Sequence, residues 1–382
     1  MKYSPLQEIK KIKNADLCID RKNLNPFRIL CNETEGMSAY YFSCPIYDER
    51  EHRLINLSYQ KNGNEFWGKG INARITISGN RVSLKNNFCK LDFLLPQENI
   101  RTHLTVRDFW GNERECLCDE SNRMYLTYNG VAIETQQEKF SFRIDKNSDK
   151  LMQNGHFVAC MANEFLPYAT VAPLVEKTSG SEILPLCCTA EMSDDNVTVT
   201  FEKRPGSTIL FTVDLYANKC VFDTTIESKN PDKNNSFGAV AVLGNSETCG
   251  TQWLYSRLDV MQFVDLNSMI ISGARLYSSC YNSADTEFGV YKMTESWCSF
   301  GSTWNSRILP SEKLTVTKNE GWYLVSDITE IVKDLIGLNM PRNPGIVMIP
   351  IQNDKNYRLI STGDNYFTPQ MIEINLKKED KK

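Results

Sequence analysis

The stretch Val197-Thr-Val-Thr-Phe201 alternates apolar with polar side chains at every position. Successive side chains of a β-strand point to opposite faces, so this alternation indicates a strand that buries one face and exposes the other. Residues 140–144 and 209–215 repeat the pattern. The apolar positions of the three rows are Val197, Val199, Phe201, Phe140, Phe142, Ile144, Ile209, Phe211, Val213 and Leu215. Rows of this kind are typical of antiparallel sheets with one covered face, and they predict an all-β protein.

Pairs of glycine and asparagine mark the turns between such strands. Asn129-Gly130 separates Tyr125–Tyr128 from Val131–Ile133. This dipeptide favours a type I′ hairpin turn, in which both central residues have positive φ. Gly79-Asn80 and Gly111-Asn112 indicate two further hairpins. Many short strands joined by frequent turns predict a β-sandwich or barrel architecture.

A short helix is predicted after residue 326. Asp327 can cap the first free backbone N–H groups, and Glu330, three residues later, completes a capping box. Gly337 provides a C-terminal stop, and Pro341 prevents continuation. We therefore expect a helix over residues 327–336 that covers one end of a sandwich. Its apolar face comprises Ile328, Ile331, Val332 and Leu335.

The composition is that of an ordinary globular protein. Of the 382 residues, 41% are hydrophobic and 24% are charged, which argues against extensive disorder. The net charge of −4 gives no general attraction for nucleic acid. No apolar run approaches the ~20 residues that a membrane-spanning helix needs. Residues 5–14 favour one or two amphipathic helical turns. Residues 1–13 are basic but lack the apolar core of a secretory signal, so we expect synthesis in the cytoplasm and export, if any, by a non-Sec route.

Thirteen cysteines are spread along the chain, and their number is odd. A secreted protein seldom leaves thiols unpaired, so we expect mostly reduced, buried cysteines and folding in a reducing setting. Cys116-Leu-Cys118 and Cys187-Cys188 are the only closely spaced thiols in the sequence, and the three histidines are dispersed. Zinc sites of the usual kind need two such pairs with a longer spacing, so no metal site and no cofactor is predicted. Loop carboxylates and carbonyls still allow a structural calcium ion.

The C-terminal part of the chain carries an ordered series of motifs. The series comprises Asp223-Thr224, Asn230-Pro231-Asp232, Tyr255–Leu266, Ile270–Tyr277, Trp297 with Thr303-Trp304-Asn305, Gly321–Thr329 and Tyr366–Ile374. In this order it resembles the DNRLRE-domain (disaggregatase-related) family of β-sandwich modules, and the resemblance covers about two-fifths of the chain. Cys249, Cys280 and Cys298 depart from the family, since such modules do not need them.

The resemblance implies an antiparallel, jelly-roll-like β-sandwich over residues 221–377, with the short helix at one end. We expect residues 1–220 to form one or two further β-sandwich or barrel domains, with a split near residue 98, and residues 378–382 to form a disordered tail. Known members are mostly accessory modules of bacterial and archaeal cell-surface or secreted proteins, and some related modules bind acidic polysaccharide. The resemblance therefore implies attachment or architecture rather than a reaction.

Four side chains are candidates for binding. Trp110 belongs to an aromatic hairpin tip at residues 109–112, and Trp67 belongs to the pair Phe66-Trp67. Exposed aromatic groups of this kind contact glycans or protein partners. Arg257 and Arg275 alternate with apolar neighbours, so they can line a face for acidic glycan. The competing interpretations are core packing for the aromatic residues and cross-strand charge pairing for the arginines.

Trp304 and Trp322 lie at motif positions of the resemblance. Tryptophan in a β-sandwich usually buries a large area with its N–H group satisfied, so we expect both side chains to lie in the core. Stacking on a sugar ring is the alternative for each of them.

No catalytic motif is present in the sequence, since it lacks a P-loop, a dinucleotide fingerprint, an HExxH zinc motif and a G-x-S-x-G elbow. The sequence therefore favours a non-enzymatic surface attachment or architectural protein that binds glycan or neighbouring subunits, as a homo-oligomer or a particle component. It would be displayed on a cell envelope or on a phage- or injection-type particle. Two alternatives stay open. One is a polysaccharide lyase or hydrolase with the DNRLRE-like domain as accessory binding module, and the other is a purely structural stalk subunit.

Overall fold

The structure, a computed structural model of the chain, describes residues 3–13, 17–20, 25–33, 36–69, 73–95, 102–108, 111–144, 150–163, 166–259, 262–263, 266, 269–336, 345–352 and 355–377. Strands account for 56% of the chain and helices for 6%, which confirms the predicted all-β class. Neither helix among these residues has the length and apolar character needed to cross a membrane.

Two helices and many short strands make up the described chain. The helices are α1 (Pro5–Lys13) and α2 (Thr329–Ile336). The strands, numbered along the chain, are β1 (Cys18–Ile19), β2 (Arg28–Glu33), β3 (Gly36–Phe42), β4 (Tyr47–Asp48), β5 (Arg53–Leu54), β6 (Gln60–Asn62), β7 (Glu65–Lys69), β8 (Arg74–Ser78), β9 (Arg81–Lys85), β10 (Lys90–Leu94), β11 (Thr102–Arg107), β12 (Glu113–Cys118), β13 (Asn122–Leu126), β14 (Gly130–Thr135), β15 (Lys139–Ile144), β16 (Lys150–Asn154), β17 (Phe157–Met161), β18 (Pro167–Lys177), β19 (Ile183–Leu184), β20 (Cys187–Ser193), β21 (Asn196–Glu202), β22 (Thr208–Leu215), β23 (Val221–Glu227), β24 (Val240–Ser246), β25 (Gly250–Leu258), β26 (Ile270–Ser279), β27 (Phe288–Lys292), β28 (Lys313–Val316), β29 (Lys318–Glu320), β30 (Tyr323–Asp327), β31 (Ile346–Pro350), β32 (Tyr357–Ser361) and β33 (Met371–Lys377). They divide into two compact units, the first formed by residues 1–8, 52–217 and 237–240, and the second by residues 9–51, 218–236 and 241–382.

The first unit is built from two antiparallel sheets. Within the described residues, one sheet has the strand order β20-β21-β15-β10-β9-β8-β7-β6, and the other has the order β11-β12-β13-β14-β22-β18-β17-β16, with β19 beside β18. The three alternating rows of the sequence form β21, β15 and β22, and all of their apolar side chains lie in one core. The three predicted strands are therefore confirmed, and inward-facing side chains from both sheets fill that core.

The second unit also places two antiparallel sheets around its own core. Among the described strands, one sheet has the order β1-β2-β3-β33-β26-β30-β29, and the other has the order β28-β27-β31-β25-β24-β32, with β23 beside β25. Leu276 and Ile374 from the first sheet and Leu254 and Met348 from the second belong to this core. The arrangement is a β-sandwich, the architecture predicted for the C-terminal part.

The second unit takes strands from both ends of the chain. β3 pairs with β33, in a register that runs from Met37 opposite Leu376 to Phe42 opposite Met371. The predicted ranges 1–220 and 221–377 are continuous, whereas the structure assigns residues 9–51 to the same unit as the C-terminal strands. Residue 98, the predicted split, and residues 378–382, the predicted tail, lie outside the described residues.

The predicted hairpin turns are present, and one differs in geometry. Gly79 (φ 61°) turns between β8 and β9, and Gly111 (φ 73°) turns between β11 and β12. Asn129-Gly130 leads from β13 into β14 as predicted, but neither residue has positive φ, so the predicted type I′ turn is wrong. Gly130 is required for another reason, because an added Cβ would lie 2.1 Å from the carbonyl oxygen of Val213 in the adjacent strand.

Helix α2 confirms the predicted helix, with a different contact at its start. Asp327 Oδ1 accepts hydrogen bonds from the Thr329 N–H at 2.9 Å and from Thr329 Oγ1 at 2.6 Å. Glu330 pairs with Lys333 at 3.0 Å, and not with the backbone as a capping box requires. All four predicted apolar residues are buried in the second core. Gly337 and Pro341 lie outside the described residues.

A carboxyl group is buried in the sheet of the first unit that contains β22. Asp214 is 2% exposed and accepts a hydrogen bond from Thr127 Oγ1. Burial raises the pKa of Asp214 to about 7 from its ordinary value of 3.8. Between those two values the folded protein retains a proton that the unfolded chain has released, so the free energy of unfolding decreases as the pH rises through this window.

Asp214→Asn should make the stability of the first unit less dependent on pH. The wild-type protein should lose stability between about pH 4 and about pH 7, by at most a few kcal/mol, since one pKa unit corresponds to about 1.4 kcal/mol. Asparagine carries no titrating proton, so the free energy of unfolding of this variant should decrease less over the same pH range. Urea unfolding at acidic and at neutral pH measures the difference, with Asp194→Asn in the exposed β20–β21 turn as control. If the free energy of unfolding of Asp214→Asn decreased with pH as much as that of the control, Asp214 would not be the group responsible.

A chain that starts at residue 221, the predicted boundary, should not fold on its own. It lacks β3, so β33 would become an edge strand with unpaired backbone groups, and part of the second core would be exposed. We expect aggregation and no cooperative thermal transition by circular dichroism, and partial rescue by a peptide spanning residues 25–44. A matched chain that lacks only residues 378–382 should melt like the full-length protein. A soluble 221–382 chain that unfolds cooperatively would contradict this role of β3.

Candidate functional site

One face of β25 carries two aromatic side chains and an arginine. Trp253, Tyr255 and Arg257 alternate along the strand with Leu254 and Leu258. Both leucines lie in the main core of the second unit. Because neighbouring side chains of a strand point to opposite sides, the two aromatic residues and the arginine face away from that core.

The connection from β27 to β28 packs on this outer face. Tyr255 Oη donates to the carbonyl of Ile308 and accepts from the Ile308 N–H, both at 3.0 Å. Trp297 is 5% exposed, and its ring centroid lies 5.6 Å from that of Tyr255. Met293 and Val347 belong with them to a second, smaller apolar cluster. This small core fixes a long loop on the sheet without help from regular secondary structure.

The rim of the small core is aromatic and cationic. Trp253 and Trp304 are partly buried, and their ring centroids lie 5.2 Å apart in an edge-to-face arrangement. The guanidinium group of Arg307, an exposed residue, lies 4.8 Å from the ring centroid of Trp304. Trp253, Trp304 and Arg307 are called the tryptophan–arginine surface below. Its two indole rings are held at a fixed angle, and its cation is available to solvent.

Polar contacts hold the loop that carries Trp304. The Asn305 N–H donates to the carbonyl of Pro231 at 3.1 Å, and Asn305 Nδ2 donates to Asp232 Oδ1 at 2.8 Å. Arg307 Nη1 donates to the carbonyl of Trp304 at 2.9 Å. A preformed loop lowers the entropic cost of binding a ligand. Amide, carboxylate and guanidinium groups beside indole rings are the chemistry that recognises a sugar, whose CH groups stack and whose hydroxyls form hydrogen bonds.

The two predicted arginines lie on different sheets. Arg257 is half-buried, with its guanidinium 5.3 Å from the Trp297 ring centroid and 5.5 Å from that of Phe222. These contacts make Arg257 part of the support beneath the small core. Arg275 is exposed in β26, where it lies opposite Asp327. This placement matches cross-strand charge pairing, the competing interpretation for Arg275.

Of the predicted tryptophans, Trp67 belongs to the first unit, and Trp304 and Trp322 belong to the second. Trp67 is half-buried in β7 of the first unit, opposite Thr76. Trp110 lies outside the described residues. Trp322 follows Gly321 in the turn between β29 and β30 and is 51% exposed, so the prediction that it lies in the core is wrong. A turn at the end of an edge hairpin has no second sheet to pack against.

Two members of the tryptophan–arginine surface were not selected from the sequence. Trp253 stands two and four residues before Tyr255 and Arg257, so the alternation that singled out Arg257 also contains it. Arg307 follows Trp304 by three residues, within reach of its ring, and this spacing was a usable signal. Trp304 was expected in the core and is partly buried, which leaves part of its ring for contact.

A polar cluster, separate from the tryptophan–arginine surface, is buried in the second unit. Lys219 Nζ lies 2.6 Å from Asp364 Oδ1, and both side chains are nearly inaccessible. Asp223, which opens the motif series, is 2% exposed and accepts a hydrogen bond from the Gly363 N–H. Burial raises the pKa of both carboxyls, and the charge of Asp364 raises that of Asp223 further. Glycosidases also use carboxyl pairs with shifted pKa values, but this pair is closed to solvent, so we assign it to holding the sandwich together.

Lys219→Met should destabilise the second unit strongly. The change removes the ammonium group that compensates two buried carboxyls, and breaking a buried ion pair in this way costs about 3–5 kcal/mol. Asp223→Asn should cost far less, because burial already favours the neutral form of that carboxyl. Urea denaturation followed by circular dichroism gives both values. The reverse order of effects would show that Lys219 is not the group that compensates the pair.

Comparison with known proteins adds little. No protein-family model matches the chain, and no curated protein matches it. Among solved structures, the N-terminal domain of the adhesin Sgo0707 from Streptococcus gordonii aligns with 7% identity over 90% of this chain and 77% of that chain, with a TM-score of 0.12. A match at this score carries no argument about fold or function.

Proposed function

We propose that this protein is a non-enzymatic attachment or architectural protein that binds glycan through the tryptophan–arginine surface. The observation that carries the proposal is the pairing of Trp253 with Trp304 beside the exposed guanidinium of Arg307. The small core beneath and the Asn305–Asp232 contact beside it keep these groups in place. A rigid aromatic platform with polar neighbours suits a ligand that is apolar on its faces and polar at its edge.

The charge of the surface favours an acidic polysaccharide. A guanidinium group binds a carboxylate through two parallel hydrogen bonds, and this geometry suits a uronic acid. One Arg307 donor is used by the carbonyl of Trp304, which orients the rest of the group. The resemblance of the C-terminal part to DNRLRE-type modules supports the same ligand class, and we propose membership of that family for this part.

The thiols bear on where the protein is assembled. The thirteen cysteines form no disulfide bonds with one another, and ten of them are buried. Free thiols persist in a reducing compartment, whereas oxidising compartments pair them. We therefore infer assembly in the cytoplasm and display on a cell envelope or on a phage- or injection-type particle, where neighbouring subunits would be further partners.

Trp304→Ala should abolish most of the binding to acidic polysaccharide. Polygalacturonate and alginate serve as acidic probes and dextran as the neutral probe, in affinity electrophoresis and calorimetry. We expect at least a tenfold weaker affinity, which corresponds to about 1.4 kcal/mol. Trp322→Ala is the matched control, because it removes an exposed tryptophan from the other sheet. Equal binding by wild type and Trp304→Ala, with unchanged thermal stability, would show that the surface is not the site.

The same samples separate the competing functions. Arg307→Gln should lose the preference for acidic over neutral polysaccharide. Release of reducing ends or of unsaturated sugars, lost on a single carboxylate change, would replace the proposal by a polysaccharide-degrading enzyme. Tight self-association without binding to any of the three probes would replace it by a structural stalk subunit.

A further inference from the structure

Cys116 and Cys118 form a close pair of thiols in β12 of the first unit. Their Sγ atoms lie 3.1 Å apart. Leu117, between them, points into the core of the unit. Residues two apart in a strand share a face, so both thiols lie on the face away from that core. Cys187-Cys188 differs in this respect, because adjacent residues of a strand point to opposite faces.

The two thiols differ in access to solvent. Cys116 is fully buried, opposite Leu104 in β11 and Tyr125 in β13. Cys118 is partly exposed at the end of the strand, opposite the exposed Arg123. A small reagent can therefore reach Cys118 but not Cys116, and the nearby guanidinium group favours the thiolate of Cys118.

Proton sharing within the pair points the same way. The hydrogen bond from Cys116 lowers the pKa of the Cys118 thiol, and Arg123 lowers it further by its charge. The same contact, together with burial, raises the pKa of Cys116. Cys118 is thus the nucleophile of the pair. When its thiolate is consumed, the interaction that held the proton on Cys116 is lost.

Strand geometry decides what product the pair can form. A strand rises about 3.3 Å per residue, so the Cα atoms of residues two apart are separated by about 6.6 Å, near the upper end of the range of about 4.4–6.8 Å that disulfides occupy. A bond across this distance can form, and it belongs to the readily reduced class rather than to the structural class.

We propose that Cys116 and Cys118 are a reversible redox site, a dithiol that closes to an intrastrand disulfide by exchange with a low-molecular-weight disulfide such as oxidised glutathione. The Cys118 thiolate attacks one sulfur of the reagent and releases one glutathione thiolate. The Cys116 sulfur then loses its proton to solvent, attacks the Cys118 sulfur and releases the second glutathione. Two protein thiols are oxidised and one glutathione disulfide is reduced to two thiols, so atoms and electrons balance. Excess reduced glutathione reverses both steps.

The test uses the folded, full-length protein in mixtures of oxidised and reduced glutathione. Remaining thiols are blocked with N-ethylmaleimide, and the protein is digested with trypsin, which releases both cysteines in the single peptide Glu115–Arg123. We expect this peptide to lose both maleimide additions and two hydrogens as the mixture becomes more oxidising, and to regain them with dithiothreitol. A peptide that stays fully alkylated while the exposed Cys298 is glutathionylated would overturn the proposal.

Two single variants test the order of the steps. Cys116→Ser should accumulate a stable glutathione adduct at Cys118, since the resolving thiol is absent. Cys118→Ser should leave Cys116 unmodified, because Cys116 is buried. Cys188→Ser, which changes another buried thiol of the same unit, should form the Cys116–Cys118 disulfide as the wild type does. A persistent glutathione adduct on the wild-type peptide, or covalent dimers through it, would also overturn the proposal, and both readouts remain valid if a variant misfolds.

Discussion

The pairing of β3 with β33 connects positions as distant as Ser38 and Asn375, which are 337 residues apart along the chain. β33 lies between β3 and β26, so this pairing joins the N-terminal strands β1–β3 to the C-terminal strands of that sheet. Glu373 shows how firmly the strand is held, since it accepts from Tyr277 Oη at 2.8 Å and lies 2.7 Å from Lys13 Nζ. Pairings of such separation form late and slowly, because the entropy of ordering the chain is lost before the contacts are gained.

In the second unit, the sheet that contains β25 packs side chains on both of its faces. The candidate site lies on the outer of these two faces. The inner face of β25 fills the main core, and its outer face carries the small core around Tyr255 and Trp297. A loop that packs on a rigid sheet can position its side chains as precisely as a strand does, and loops tolerate sequence variation better than strands. Trp304 and Arg307 occupy that position, so the outer face presents the proposed binding surface while the inner face fills the main core.

How far the sequence predicts this structure depends on the range of the interaction. The alternating rows around Phe142, Val199 and Phe211 report local periodicity and the side that is buried, so their strands were predictable. Helix α2 was predictable for the same reason, because its cap and apolar face lie within one short segment. The partner of β33 was not, since strand pairing over several hundred residues leaves no local pattern. The candidate site was predictable only in part. Trp304 could be recognised as a motif residue, but its burial depends on a loop that the rest of the fold positions. Trp322 is exposed because it lies in an edge turn, although tryptophan is usually buried.

Burial also sorts the thirteen thiols by reactivity. It raises the pKa of Cys160 and of Cys188 to about 12 and that of Cys280 to about 11, so these groups remain protonated at neutral pH and act as small apolar side chains. A chain rich in cysteine therefore need not be prone to oxidation, because most of its thiols are buried while the fold is intact. Cys118 differs from these buried thiols, because the Cys116 thiol, with its Sγ atom 3.1 Å away, lowers the pKa of Cys118 and is the group proposed to displace a bound reagent. Side chains two residues apart in a strand lie on the same face, so the alternation that builds the sheets also places Cys116 and Cys118 next to each other. Their reactivity therefore follows from the strand that contains them.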